Sequence, residues 1–201
     1  MGKRIFIGTL ITALVVLCLI PICTAQTGFF VGNIVPELIG VCIELLIIVF
    51  IFDAWQRKEE KRKDVIIERR LREFLIFFLK QNFEEFPSSN KIGDFYGKDH
   101  AKNQDAVSGI ISDIGTQGVS EIFVSNIQRY CENQKDIFNN LIPVASELTN
   151  DHFKSWVRIS YFMNAIASKN EKTSHAVLKI LEHVQRFDAE SFKNKLYVDA
   201  K

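Results

Sequence analysis

The first 55 residues are dominated by two apolar runs, one over about residues 5–25 and one over about residues 30–55. No charged residue lies between Arg4 and Glu37. A helix needs about 20 consecutive apolar residues to cross the hydrocarbon core of a bilayer, and each run is long enough. The pattern therefore predicts an N-terminal transmembrane hairpin over residues 1–55, with two helices joined by a short uncharged loop.

From residue 56 onward, apolar positions recur at spacings of three and four, as they do on the buried face of a helix. The second run is predicted to continue as a basic juxtamembrane helix over residues 56–86, which Pro87 ends. A polar loop over 87–103 then leads to a cytoplasmic α-helical domain over residues 104–201. Its helices are predicted at 104–116, 118–142, 150–168 and 171–187. Because no strand-like alternation occurs, the predicted fold class is all-α, a transmembrane hairpin followed by a cytoplasmic helical bundle.

The juxtamembrane helix carries a narrow apolar seam, formed by Ile67, Leu71, Phe74 and Phe78. Residues 74–79 are apolar on every side of the helix but too few to cross a bilayer, which predicts that this turn is buried. Two interpretations remain open: the seam belongs to the core of the cytoplasmic domain, or it joins two copies of the chain.

Positive charge flanks both apolar runs on the side away from the loop. Lys3 and Arg4 precede the first run, and a basic segment follows the second. The basic segment consists of Arg57, Lys58, Lys61, Arg62, Lys63, Arg69 and Arg70, with Arg72 as an eighth cation close behind. The positive-inside rule then places both termini in the cytoplasm, in a multi-pass membrane protein. The same segment is suited to anionic lipid head groups.

A second interpretation concerns residues 1–25. The order of Lys3-Arg4, an apolar core and Cys23-Thr24-Ala25 is also typical of a cleaved secretory signal peptide. The apolar core is long for a signal peptide, and Pro21 is awkwardly placed before the cleavage site, which favours a retained membrane helix. The basic segment predicts a cytoplasmic C-terminal domain in either case.

Composition and motifs exclude several classes of function. The net charge is +1, and acids interrupt the basic segment, so direct nucleic-acid binding is not expected. Neither the four cysteines nor the four histidines show the spacing of a metal site, and no disulfide framework is expected. No phosphate-cradling glycine loop, dinucleotide fingerprint or nucleophile motif occurs. We therefore expect no enzyme activity, no cofactor and no metal.

The second apolar run contains two acids on one helical face, Glu37 and Glu44, with Gly40 between them and Ile48 one turn further. We call Glu37, Gly40, Glu44 and Ile48 the carboxylate face. Because Pro36 suits a first helical turn, Glu37 is expected near the outer interface. Glu44 lies near the middle of the run, where an ionisable group is costly unless it has a partner, a proton or water. This face is therefore the predicted packing or pore face, against the first helix or against another copy.

Three roles remain open for Glu44. It can be a protonated group that bonds to Thr9 or Thr12 and holds helices together. It can line a polar pore formed by an oligomer, or it can relay protons. An ionised Glu44 facing lipid is excluded by its desolvation cost.

The stretch Asn33–Arg62 contains Pro-Glu-Leu-Ile-Gly, a second Glu, a Phe-Asp pair and the tail Arg-Lys-Glu-Glu-Lys-Arg. It resembles a motif of small bacterial proteins with two transmembrane helices, among them membrane effectors of anti-phage defence systems of the retron type. The resemblance covers about 30 residues and carries no catalytic residue over. It implies a multi-pass protein of the bacterial inner (plasma) membrane, an effector that damages or depolarises that membrane.

Three functions follow as hypotheses. The first is a toxic membrane effector for antiviral defence, whose homo-oligomers permeabilise or depolarise the lipid bilayer under control of the cytoplasmic domain and of a regulatory protein partner. The alternative is a membrane-anchored interaction or adaptor module without pore activity. A third is a small ion or solute channel subunit. The carboxylate face discriminates the first two, because a simple anchor tolerates replacement of Glu44.

Overall fold

The computed structural model describes residues 2–23, 34–89 and 99–197 and is all-helical over these residues, which confirms the all-α class. The chain divides into an apolar unit, residues 1–60, and a helical unit, residues 61–201. The described helices are α1 (Gly2–Cys23), α2 (Val35–Asn82), α3 (His100–Gln117), α4 (Glu121–Asn140), α5 (Ile142–Ala145), α6 (Asn150–Ala167) and α7 (Thr173–Lys193).

The apolar unit contains α1 and the first part of α2. Within the described part of the chain, α2 is the one helix long and apolar enough to cross a membrane: its most apolar 18-residue window has a mean hydropathy of 2.5 and is only 6% buried. A shorter apolar stretch lies at Phe6–Leu19 in α1. Low burial separates this part of α2 from the core helix of a soluble domain. The two-helix transmembrane hairpin stays a prediction, and its loop lies outside the described residues.

Each apolar helix has one less exposed side. On α1 these half-buried residues recur at spacings of three and four: Ile7, Leu10, Leu14 and Leu17. On α2 the same spacing selects Ile39, Cys42, Leu46 and Val49. Such a stripe is typical of a helix that packs against a neighbour, and residues 1–60 form one compact unit.

The helical unit is built around antiparallel helix pairs, in which α6 packs against α7 and α4, and α3 packs against α7. The end of α2 contributes to the same core. The largest fully buried side chains are Trp156, Phe78, Phe83, Phe138, Phe187 and Leu71. Full burial of each such side chain stabilises the fold by roughly 1.5–3 kcal/mol. The aromatic rings account for much of this core, with Phe138 stacked on Trp156 at 5.2 Å between ring centroids.

Local caps fix the helix ends in the helical unit. Ser120 caps α4 and Thr149 caps α6, each accepting a backbone N–H of the first turn through its hydroxyl. Thr149 is where the sequence predicts that helix to begin. Gly118 follows α3 with a φ of 73°, a conformation that glycine adopts without strain.

Four helix boundaries in the helical unit differ from the sequence prediction by three residues or more. Helix α2 ends at Asn82, four residues before the predicted end at residue 86, so Pro87 is not what ends it. Helix α4 begins at Glu121 rather than at residue 118. Helix α3 begins at His100, because Asp99 accepts the N–H groups of Ala101 and Lys102, so the predicted loop over 87–103 is wrong at its end. Residues 90–98 of that loop lie outside the described residues. Helix α7 continues to Lys193 rather than ending near residue 187.

The seam of the juxtamembrane segment lies in the core of the helical unit. Leu71 is fully buried, Phe78 is 1% exposed and Ile67 is 6% exposed, which confirms the core interpretation. The prediction that residues 74–79 are buried on every side is wrong at Phe77, which is 57% exposed. Helix α2 therefore packs with one face here, as an amphipathic helix does.

Candidate functional site

The carboxylate face lies open in the single chain. Glu37, Glu44 and Ile48 are exposed, and Gly40 is half-buried with nothing within 4 Å of an added Cβ. The half-buried stripe of α2 lies on other positions, so the structure does not bury the carboxylate face against α1.

No described residue hydrogen-bonds to Glu44. The hydroxyl of Thr12, one of its predicted partners, donates to the carbonyl oxygen of Gly8 at 2.9 Å in its own helix. A carboxyl group in an apolar, exposed run needs a proton, water or a neighbouring chain, since hydrocarbon solvates it poorly. This requirement makes Glu44 the candidate functional residue of the apolar unit.

The basic segment is exposed at all seven of its positions. Several of these cations also bind acids; for example, Arg57 pairs with Asp53 at 2.8 Å, Lys63 with Glu147 at 2.6 Å and Arg69 with Glu73 at 3.6 Å. The hydrogen bond and charge of Glu147 raise the pKa of Lys63. Exposed pairs of this kind contribute little to stability, because water screens them. The exposed cations of the segment therefore stay accessible to a negatively charged surface, such as anionic lipid head groups.

Arg72, which the sequence groups with these cations, has a different role. Its side chain is 6% exposed and contacts two buried acids, Glu68 at 2.7 Å and Asp188 at 2.7 Å. These three residues join the end of α2 to α7 and form the centre of what we call the buried polar cluster. Unlike the seven exposed cations of the basic segment, Arg72 lies in the core, where its two carboxylate partners hold it.

Asp188 is the most highly bonded member of the cluster. Its two oxygens accept from Arg72 at 2.7 Å, Asn103 at 2.8 Å, Tyr197 at 2.8 Å, His100 at 2.8 Å and Gln104 at 2.9 Å. Burial alone would raise the pKa of Asp188, but the charge of Arg72 and these hydrogen bonds bring it below its ordinary value. The carboxylate therefore ties together α2, α3, α7 and the segment that follows α7.

A second branch of the cluster contains a serine next to a histidine. Ser191 donates its hydroxyl proton to Glu68 at 2.7 Å, and His152 Nε2 lies 3.0 Å from Ser191 Oγ. The other ring nitrogen of His152 lies 2.9 Å from the hydroxyl of Thr149. With the proton of Ser191 committed to Glu68, His152 donates to Ser191 instead of removing its proton. Ser191 is also fully buried. The pair is structural and lacks the arrangement of an activated nucleophile.

The buried histidine makes the helical unit sensitive to acid. Burial lowers the pKa of His152 from 6.5 to about 4. The unfolded chain therefore takes up a proton near pH 6.5, whereas the native chain does not until about pH 4. The neutral, buried His152 therefore stabilises the fold fully above pH 6.5, and this stabilisation is lost as the pH falls toward 4. By pH 5 the loss amounts to about 2 kcal/mol. Chemical unfolding at pH 7.5 and pH 5 measures the loss.

A matched pair of variants isolates this effect. His152→Gln is expected to shrink the difference between the two pH values by about 2 kcal/mol. His175→Gln, at a side chain 53% exposed and bonded to Glu171, is expected to leave the difference unchanged. His183, whose pKa burial also lowers, changes stability in the same direction and is intact in both variants. An unchanged pH dependence in His152→Gln would contradict the assignment.

Cys131 offers no reactive thiol, because it is fully buried and burial raises its pKa to about 12. In the described part of the chain no group of histidine, cysteine and acid side chains is placed to hold a metal ion.

Comparison with protein-family models, with curated proteins and with solved structures found no match.

Proposed function

We propose that the chain is a bacterial inner-membrane protein that oligomerises through the carboxylate face of α2 and permeabilises or depolarises the membrane. In this proposal α1 and the first part of α2 form a transmembrane hairpin with both termini in the cytoplasm. The helical unit controls the activity and receives a cytoplasmic regulatory partner. The resemblance of Asn33–Arg62 to membrane effectors of anti-phage systems supports the same conclusion and stays a prediction.

One observation carries the proposal, namely the position of Glu44 on an open face of the most apolar helix. The window around it has a mean hydropathy of 2.5, and no described residue bonds to its carboxyl group. Gly40, one turn away, lets another helix approach because nothing lies within 4 Å of its Cβ position. Several copies that meet on this face would place their Glu44 side chains around a shared polar path.

A membrane-anchored interaction module is the second candidate. The observation that favours it lies in the helical unit, where Ile122 is 73% exposed and Tyr161 is 58% exposed. Exposed apolar side chains add contact area to a protein-binding surface, although single ones such as these are also normal on a folded unit. In this function Glu44 has no active role, so a variant with another residue at this position should keep its activity.

Membrane potential in bacteria that express the chain discriminates the two. A voltage-sensitive dye is expected to report depolarisation for the wild type and at least a tenfold weaker response for Glu44→Gln at equal membrane levels, since the amide cannot carry the charge that a conducting path uses. Glu132→Gln is the control, an exposed acid of α4 with the same loss of charge. It should depolarise like the wild type. Equal depolarisation by Glu44→Gln would rule out a pore lined by this residue.

A further inference from the structure

Helices α6 and α7 enclose a groove of about 570 Å³ on the surface of the helical unit. Four cationic side chains, two acidic ones and two smaller polar ones line it together with Ala189: Asp151, Lys154, Ser155 and Arg158 from α6, and His183, Arg186, Ala189, Glu190 and Lys193 from α7. The volume lies within the range of about 300–1,000 Å³ that is typical of small-molecule sites. We call it the cationic groove.

The four cations of the groove are not equivalent. Lys154 lies 3.6 Å from Asp151, and Lys193 lies 3.3 Å from Glu190, so each lysine is paired within its own helix. Within the described residues, no acid pairs with Arg158 or Arg186. Both arginines act on His183, since their positive charges add to burial in lowering its pKa. Two unpaired guanidinium groups therefore face one small region from opposite helices.

The floor of the groove holds two polar side chains that form no hydrogen bond with any described residue. Ser155 is 4% exposed and His183 is 9% exposed, and no described residue hydrogen-bonds to either. The Nδ1 atom of His183 is among the buried polar atoms without a partner. A buried polar group is normally hydrogen-bonded, because its desolvation is otherwise uncompensated. Hydroxyl and imidazole groups at the floor, with guanidinium groups at the walls, are the donors that a phosphate accepts.

We propose that the cationic groove binds a small phosphate-bearing ligand, held by Arg158 and Arg186 and oriented by Ser155 and His183. Guanidinium groups bind phosphate oxygens with two parallel hydrogen bonds, which gives both arginines a partner. The described lining contains no aromatic ring apart from the His183 imidazole, so a nucleobase has little to stack on. The phosphate is the recognised group. The proposal does not depend on any activity of the carboxylate face.

Calorimetric titration of pyrophosphate into the full chain in a nonionic detergent tests the proposal. We expect saturable binding at one site per chain with a Kd below about 1 mM at low salt. The double variant Arg158→Gln/Arg186→Gln should weaken binding at least about tenfold, and Ser155→Ala should weaken it by about three- to tenfold. Ser155→Ala leaves all charges in place and removes a hydroxyl without a partner, so its stability should equal that of the wild type.

The charge-matched control is Lys102→Gln/Arg129→Gln, at two exposed positions outside the groove. It should bind pyrophosphate as the wild type does, and an equal loss in the control would overturn the proposal as general attraction of anions. Vesicles of phosphatidylcholine with and without phosphatidate form the second arm. Binding to phosphatidate that needs both arginines, without binding of pyrophosphate, would assign the phosphate to a lipid head group. Absence of binding in both arms would overturn the proposal.

Discussion

Replacement of Arg72 by methionine is expected to lower the free energy of unfolding of the helical unit by about 3–5 kcal/mol at neutral pH. Glu68 is 2% exposed and Asp188 is fully buried, so removal of the guanidinium leaves two carboxylates in the core without a countercharge. Loss of one partner from a buried ion pair costs more than the pair itself contributes, because the remaining charge stays desolvated. The same variant should lose less stability at pH 4, where protonation removes part of the uncompensated charge.

Fluorescence of Trp156 during urea unfolding measures this change, in a Trp55→Phe background that leaves Trp156 as the single tryptophan. The control is Arg69→Met, three positions earlier on α2, where the side chain is 58% exposed and lies 3.6 Å from Glu73. That pair is solvent-screened, so we expect a change of less than about 0.5 kcal/mol. A loss below about 1 kcal/mol in Arg72→Met would contradict a structural role for the buried polar cluster.

Replacement of Trp156 by alanine is expected to destabilise the helical unit by about 3–5 kcal/mol. The indole is fully buried, stacks on Phe138 and lies 6.2 Å from the ring of Phe187. Its N–H donates to the carbonyl oxygen of Phe138 at 3.0 Å. The substitution removes these contacts, leaves a cavity between α4, α6 and α7, and deprives the Phe138 carbonyl of this donor.

Circular dichroism at increasing urea concentration follows this unfolding without a tryptophan probe. Trp55→Ala is the matched control, since Trp55 is 60% exposed on the part of α2 that belongs to the apolar unit. We expect its midpoint for the helical unit to equal that of the wild type. Equal midpoints for both tryptophan variants would show that Trp156 does not hold the core together.

The helices of this chain follow from local signals in its sequence. Apolar residues at spacings of three and four, hydroxyl caps such as Thr149 and breakers such as Gly118 fix where most helices lie, since each signal acts within a few residues. Phe77 and the start of α3 depart from those signals. Whether Phe77 is covered depends on which helix packs beside α2, which the local sequence does not specify. The predicted start of α3 is wrong because its capping residue, Asp99, lies inside a polar stretch and is easily taken for part of the loop.

The candidate sites differ in how much of them the sequence reveals. Glu44 is conspicuous because a carboxylate rarely occurs within an apolar run of this length. The buried polar cluster gives one local hint, the spacing of four between Glu68 and Arg72, which is equally common on solvated helices. Its third member, Asp188, lies 116 positions from Arg72. The cationic groove likewise exists only because α6 and α7 pack together, which spacing along either helix does not specify.

Thiol labelling in intact bacteria tests the membrane hairpin, on which the proposed function rests. In a background that lacks Cys18, Cys23 and Cys42 and keeps the buried Cys131, one new cysteine is introduced at a time, as Gln26→Cys in the predicted loop or Glu132→Cys in α4. A membrane-impermeant maleimide is expected to label Gln26→Cys in intact cells and Glu132→Cys only after lysis. Labelling of Glu132→Cys in intact cells, or recovery of the chain in the soluble fraction, would contradict a hairpin with a cytoplasmic helical unit.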